Sequence, residues 1–398
     1  MLNNTKKKVK KVLKPKIKFI LYKFLYPQIY KYYSRKTIKN NKIVFVEPQH
    51  FELDNNLIII YDKLKQNNKN NIYIHILNPY SITYFQKIKR ELKLIKNISD
   101  SKIIFTDDTC PSIGTCKLRK ETKMIQTWHG CGAFKKFGWS TADLIFGASR
   151  EEQLKYPPHR NYAFVTVSAP EVVKHFAEAM RLENEVDKIL PIGVSRTDVF
   201  FDKDFIKKAY EKVYSIVPQA KNKKILLYAP TFRGRVANAK TSNALNIELL
   251  YYHLKDEYVI LIKHHPLVKK RPAIKEEFKD FAIDVTDSLT IEDLICTSDV
   301  CIADYSSLVF EYSLFERPMI FFAYDMDNFL DWRGFYYKYE DFVPGPIVKN
   351  NIELLEAIKD IDNFDKQKVI DFKNKFMSAC DGHSTERILE KVNEYMRN

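Results

Sequence analysis

The strongest constraint in this chain is a pattern that runs, stops and runs again. Short apolar stretches of strand length alternate with amphipathic segments at 57–64 and 82–94. They are KIVFVEP (Lys42 to Pro48), IYIHIL (Ile72 to Leu77), KIIFTDD (Lys102 to Asp108), MIQTWHG (Met124 to Gly130) and DLIFGAS (Asp143 to Ser149). The stretch Asn184 to Phe205, containing Pro191 and Gly193, reads as a linker. The pattern then restarts with KKILLYAPTF (Lys223 to Phe232), YVILIKHHP (Tyr258 to Pro266), FAIDVTD (Phe281 to Asp287), DVCIADYSS (Asp299 to Ser307) and PMIFFAYD (Pro318 to Asp325). Helical segments are expected at 247–254, 291–297 and 307–315. Short apolar runs separated by helices produce parallel strands with crossover connections. The expected fold is therefore α/β, with two doubly wound Rossmann-type domains facing across a cleft. The expected divisions are 1–40, 41–190 and 191–398, the last closed by a C-terminal helix.

Charge separates the first segment from the rest. Residues 1–40 carry thirteen Lys or Arg and no acid, and the remaining chain carries 52 bases against 50 acids. A nearly neutral body does not suit a domain that tracks nucleic-acid phosphates, and no nucleic-acid partner is expected. From Lys6 to Lys36 the lysines interleave with Phe19, Ile20, Leu21, Tyr22, Phe24, Leu25, Tyr26, Tyr32 and Tyr33. Rings and lysines in that arrangement suit an anionic bilayer surface. A basic tail packed on the body, or a nucleic-acid arm, would show the same letters. Pro15 and Pro27 are expected to divide the segment into short helical pieces. Apolar runs fall short of the ~18 residues of a spanning helix, and the N-terminus lacks a signal-peptide pattern. Six cysteines without C-x-x-C spacing suit buried thiols in a reducing compartment, with neither a disulfide framework nor a structural zinc site. The expected location is the cytoplasmic side of the membrane, peripherally attached.

In open parallel sheets ligands bind at the carboxyl ends of strands, which singles out four places. Asp304-Tyr305-Ser306-Ser307 interrupts two apolar runs where a strand ends and a helix begins. With only 10 Gly in the chain, a helix N-terminus flanked by hydroxyls is the available phosphate cradle. Glu311, one turn further, suits ribose hydroxyls. Ser at a helix start and Glu in a first turn also occur for capping and dipole reasons alone. His129 ends a strand, and an imidazole with pKa near ~6.5 suits a general base on an acceptor hydroxyl. His264 and His265 end a strand of the second half, where adjacent side chains should point to opposite faces, so that one of them can face a ligand. Arg233 offers a planar fork to phosphate oxygens.

The run TIEDLICTSDVCIADYSSLVFEYSLFERPMIFFAYD, continued by WRGFYYKYEDFVPGPIV and DGHSTERI, resembles the signature region of CDP-glycerol glycerophosphotransferases of the teichoic-acid type. Upstream, TWHG (Thr127 to Gly130), GVSRTD (Gly193 to Asp198), YAPTFR (Tyr228 to Arg233) and KHHP (Lys263 to Pro266) follow in the family's order. The resemblance covers roughly residues 41–390. It implies a GT-B-like pair of domains and release of CMP on transfer of polyol phosphate. It assigns His129 and His265 to catalysis, and Thr231, Arg233, Asp304, Ser306, Ser307, Glu311 and Arg196 to the donor. Ser195 stands where the family often has proline. After TWHG the chain reads CGAFKKFG, which is similar to ribitol-phosphate transferring relatives, so CDP-glycerol and CDP-ribitol both remain open. A lipid-linked glycan or polyol-phosphate chain is the expected acceptor, with no cofactor and no protein-held metal. The rival readings are a GT-B glycosyltransferase using a nucleotide sugar, and a non-enzymatic basic binding protein.

Overall fold

The computed structural model describes residues 14–53, 55–66, 69–78, 82–145, 147–234, 239–326 and 334–397. Two six-stranded parallel sheets organise it. The first has the order β2-β1-β3-β4-β5-β6, from β1 (Lys39–Glu47), β2 (Asn71–Ile76), β3 (Ser101–Thr106), β4 (Lys123–Gln126), β5 (Tyr162–Thr166) and β6 (Ile189–Leu190). The second has the order β12-β11-β10-β7-β8-β9, from β7 (Lys224–Ala229), β8 (Tyr258–Ile262), β9 (Ala282–Asp284), β10 (Val300–Ala303), β11 (Met319–Phe322) and β12 (Ile347–Val348). The central strands are buried on both faces, as crossover helices require, so their residues form nearly unbroken apolar runs. Strand order reverses between β1 and β3 in one sheet and between β7 and β10 in the other. Those switch points are where such folds hold ligands.

Three sequence expectations change. DLIFGAS is not a strand: Leu144 and Ile145 are exposed in a turn region, and the strand beside β4 is instead YAFVT, 162–166. The stretch 184–205 is not a bare linker, because β6 joins the first sheet there and a 3-10 helix follows at Ser195–Phe201. The last helix, Ser384–Arg397, does not stay with the second sheet: Ile388 and Val392 are fully buried with Ile43, Phe45, Ile103 and Phe105 of the first.

The basic segment is also more than a tail. Residues 14–33 form one helical run, α1, in which Pro27 does not break the helix. A π-helical turn, Leu21–Leu25, precedes that proline and widens the backbone where its ring would meet the preceding turn. Leu21, Tyr22, Tyr26 and Tyr30 are buried in the main core. The Tyr22 and Tyr26 hydroxyls donate to the two oxygens of buried Glu91, at 2.9 and 2.7 Å, on helix α2 (Tyr84–Ile98). Phe19, Ile20, Phe24, Leu25 and Tyr32 remain exposed, with Lys14, Lys16, Lys23 and Lys31 beside them. The lysines from Lys6 to Lys11 lie outside the described residues.

Candidate active site

The second sheet builds its half of the site at its switch point. Thr231 follows β7 and Asp304 follows β10. The Thr231 backbone N–H donates to Asp304 Oδ1 at 2.9 Å, and its hydroxyl donates to the same oxygen at 2.6 Å. Asp304 also accepts from the Tyr305 N–H at 2.6 Å and pairs with Arg233 Nη1 at 3.0 Å. It is almost fully buried. Arg233 is gripped again by Asp325, which accepts from Nε at 2.7 Å and from Nη2 at 2.9 Å. Burial alone would lower the arginine pKa, but Asp325 and Asp304 outweigh it and hold the pKa above the ordinary value. Thr231, Arg233 and Asp304 thus act first as a brace that ties three strand ends together. The expected phosphate fork is engaged by two carboxylates.

Past that brace, Ser306 is half-buried and Ser307 is exposed just before helix α3 (Leu308–Ser313). Neither is consumed as a strong cap: Ser307 makes no side-chain cap bond, and Ser306 Oγ accepts from the Leu308 N–H only at 3.4 Å. The two neighbouring histidines divide as their alternate directions predict. His264 is buried, with Nδ1 2.9 Å from the Thr241 hydroxyl. His265 reaches solvent beside Phe232, and its Nδ1 accepts from the Leu267 N–H at 3.2 Å. That bond leaves the proton on Nε2. Surrounding protein and then the nearby Lys135 charge push the pKa of His265 down to about 4, so it is a neutral hydrogen-bond donor at physiological pH.

The first sheet contributes His129, three residues beyond β4. Trp128 before it has φ +53°, a left-handed conformation that a bulky residue avoids unless its surroundings impose it. Here the Trp128 N–H donates to Gln126 Oε1 at 2.9 Å, Asn56 Nδ2 donates to the Trp128 carbonyl at 2.7 Å, and Phe137 packs on the indole at 4.9 Å. This bend presents a partly exposed His129 ring. Its Nδ1 lies 3.1 Å from the Asp107 carbonyl, which can only accept, so Nδ1 carries the proton and Nε2 keeps its lone pair. The Asp108 carboxylate stands 3.9 Å from Nδ1, placed to stabilise an imidazolium.

Arg196 joins the halves. Its Nη1 donates to the His129 carbonyl at 2.9 Å, and its Nη2 pairs at 3.0 Å with Glu311 on α3. Glu311 is 2% exposed. Glu311, expected at ribose hydroxyls, and Arg196, expected at the donor, pair with each other in this structure through Oε1 and Nη2. A groove of about 390 Å³ lies against Trp128, bounded by Lys18, Lys87, Tyr156 and His159 among others. All six cysteines are buried free thiols. Among the described residues no three His, Cys, Asp or Glu side chains are grouped to hold a metal ion.

Sequence reasoning missed Asp325, Asp108 and Asn56 as parts of this site. The strand-end rule had the signal for two of them, since Asp325 follows β11 and Asp108 follows β3. Asn56 carried none, because its partners are 72 and 140 positions away in Trp128 and Arg196.

Two parallel sheets with their switch points facing each other, joined where Arg196 links the His129 loop of one to Glu311 on α3 of the other, define a GT-B-like protein. The chain belongs to the CDP-glycerol:poly(glycerophosphate) glycerophosphotransferase family, whose model matches residues 28–394. It is 37% identical over 362 residues to the teichoic acid poly(ribitol-phosphate) polymerase of Bacillus spizizenii, covering 89% of this chain and 56% of that protein. It is 36% identical over 366 residues to the teichoic acid ribitol-phosphate primase of the same organism, covering 90% and 92%. This chain thus spans little more than half of the polymerase and nearly all of the primase. The solved structure of the wall teichoic acid polymerase TagF superposes with TM-score 0.76 at 22% identity, covering 100% of this chain and 98% of that one. A putative UDP-N-acetylglucosamine 2-epimerase from Listeria monocytogenes also superposes, at TM-score 0.55 and 10% identity over 90% of this chain and 97% of that one. The fold by itself therefore does not select the chemistry.

Proposed function

We propose that this protein transfers a polyol phosphate, ribitol phosphate ahead of glycerol phosphate, from its CDP derivative to a hydroxyl of a teichoic-acid-type polymer or lipid-linked glycan, releasing CMP. The observation that carries this reading is the Arg196 tie, which holds the His129 loop against the helix that follows Asp304 to Ser307. His129 Nε2 takes the proton of the acceptor hydroxyl while the oxygen attacks the polyol-bearing phosphorus. His265 Nε2–H, the Ser306 and Ser307 hydroxyls and the first N–H groups of α3 hold the diphosphate in line. Phosphoryl transfer needs chiefly such positioning and charge cancellation. The brace of Thr231, Arg233, Asp304 and Asp325 keeps that turn in place. Ribitol is preferred because the relatives at 36–37% identity are named for ribitol phosphate, whereas the named glycerol-phosphate primases fall at 28–30%.

The acceptor reaches His129 along the groove beside Trp128. Its wall includes Lys18 of α1, whose exposed rings and lysines suit an anionic membrane surface. The enzyme would then work at the cytoplasmic face as a peripheral protein. Among the described residues no helix is long and apolar enough to cross a membrane.

The test is to incubate the purified protein with CDP-ribitol and with CDP-glycerol separately, with an oligo(ribitol phosphate) or oligo(glycerol phosphate) acceptor, and to assay CMP. CMP release from CDP-ribitol at the higher kcat/KM is expected. Absence of CMP from both donors would overturn the reading, and release of a nucleoside diphosphate from a nucleotide sugar would replace it with glycosyl transfer.

A further inference from the structure

A second hollow lies on the carboxyl edge of the first sheet, apart from the groove beside Trp128. It has a volume of about 340 Å³ at the end of β2 and is walled by Phe51, His75, Leu77, Arg90 and Lys93 among others. Strand register places it relative to the candidate base. Ile76 of β2 pairs with Glu47 of β1, and Val46 of β1 pairs with Thr106 of β3. With neighbouring strands about 4.8 Å apart, the hollow opens about 10 Å along the sheet edge from Asp107, whose carbonyl orients His129.

Three donors line this hollow. His75 is 8% exposed, and burial holds its ring neutral at physiological pH. Its Nε2 lies 2.7 Å from Asn97 Nδ2, which can only donate, so Nε2 accepts and Nδ1 carries the proton. That N–H has no hydrogen-bond partner among the described residues. Arg90 Nη1 donates to the Ile76 and Leu77 carbonyls at 3.3 and 3.0 Å, which fixes the guanidinium at the strand end and leaves Nε and Nη2 uncommitted. Lys93 is exposed, and among the described residues neither cation pairs with a carboxylate. Lys42 of β1, in contrast, is held by Asp100. A buried imidazole N–H, a fixed guanidinium and an unmatched ammonium suit a ligand that only accepts and carries negative charge, which is the chemistry of phosphate.

Helix α2 joins this hollow to the groove. Lys87, Arg90 and Lys93 follow at intervals of three and form a basic ridge about 9 Å long on the helix surface. Lys87 stands in the wall of the groove beside Trp128, and Arg90 and Lys93 stand in the wall of the hollow. Among the described residues Lys87 has no carboxylate partner either. We propose that the hollow seats a phosphodiester of the acceptor chain, set back from the hydroxyl at His129, with His75 Nδ1–H, Arg90 and Lys93 as its donors. The proposal rests on the reading that a polyol-phosphate chain enters the groove beside Trp128. Such a seat favours acceptors that already carry phosphodiesters over a single polyol phosphate, because only a chain reaches both His129 and Lys93.

The test compares Lys93→Glu, Arg90→Gln and the control Lys63→Glu, an equal charge change at an exposed lysine outside the hollow, in the full chain. With an oligo(ribitol phosphate) of several units as acceptor, Lys93→Glu and Arg90→Gln should each raise KM about 10-fold, the scale of one hydrogen bond to a charged group. Their kcat should stay within about two-fold of wild type, and KM for ribitol phosphate itself should not change. Lys63→Glu should leave both acceptors unaffected. An unchanged KM for the oligomer in Lys93→Glu, or an equal rise for both acceptors, would overturn the seat. A titration that needs no turnover follows the ¹⁵N-labelled His75 imidazole by NMR. Its Nδ1 signal should move with the oligomer at lower concentration than with inorganic phosphate, and should stay still in Lys93→Glu. A signal that inorganic phosphate moves equally well makes this a free-phosphate site and removes the chain assignment, and a signal that neither moves removes the seat. Should CMP appear from neither donor, the transferase reading fails by itself, and this titration still decides whether the hollow binds the chain.

Discussion

Arg196 and Glu311 form a buried ion pair across the two halves of the molecule, 3.0 Å from Nη2 to Oε1, while the same guanidinium holds the His129 carbonyl. The carboxylate is 2% exposed, so the pair belongs to the core as much as to the site. Removing Arg196 leaves Glu311 buried without its counter-charge, which costs about 3–5 kcal/mol. Arg196→Ala should therefore lower the denaturation midpoint sharply, whereas the double variant Arg196→Met with Glu311→Leu should recover most of the loss and still be slow in catalysis. A double variant as unstable as the single one would refute the buried-charge account.

His129→Ala should reduce CMP release by 10²–10⁴-fold, the usual scale of general-base catalysis. Donor affinity by calorimetry should stay within a few-fold, because the ring touches the acceptor side. Asp108→Asn, which removes the carboxylate 3.9 Å from Nδ1, should lower kcat several-fold by taking away the charge that faces the imidazolium formed in the step. Retention of more than a tenth of the rate in His129→Ala would remove the base assignment.

Stability should fall with acid before the carboxylates titrate. His75 is pushed down to about 4 and His159 to about 3, in each case first by burial. Both folded values lie below the ~6.5 of an unfolded histidine, so the unfolded state binds protons first. Stability is then full above about pH 6.5 and declines as pH falls towards 4, by at most about 1.4 kcal/mol per pH unit for each ring. Urea melts at pH 7, 6 and 5 should show this slope, and His75→Gln should flatten it. A flat profile in wild type would contradict both shifts.

The N-terminal helix should separate into two functions by face. Changing the outward residues Phe19, Ile20 and Phe24 to Ser should reduce co-sedimentation with anionic vesicles and leave the melting temperature nearly unchanged. Tyr22→Phe should do the reverse, because it leaves one oxygen of buried Glu91 unsatisfied at a cost of about 1–3 kcal/mol. Attachment of the intact chain should weaken with salt, since surface charge is screened. Equal sedimentation of wild type and the triple Ser variant at low salt would exclude the membrane face.

Among the described residues, ten of the twelve strands lie in runs that are apolar or that end at a recognisable polar turn, and local pattern sufficed to find nine of them. Burial of a parallel strand on both faces demands such runs, and a helix N-terminus after Ala303 demands small polar residues. YAFVT and DLIFGAS are both short runs with apolar letters, and what makes the first a strand is its pairing beside β4. The ion partners of Arg233 and Arg196, and the tyrosine partners of Glu91, were invisible for a related reason: a charged letter does not state whether it faces water, phosphate, a hydroxyl or a carboxylate far along the chain. The lysine-and-aromatic pattern of α1 likewise fits a membrane face and a buried face at once, and the helix has both. Local propensity and hydrophobic period thus determined which elements exist and which strand ends carry polar groups. The packing of those elements decided which charges are spent on one another and which reach the cleft, because burial turns every ionic side chain into a question of what lies beside it.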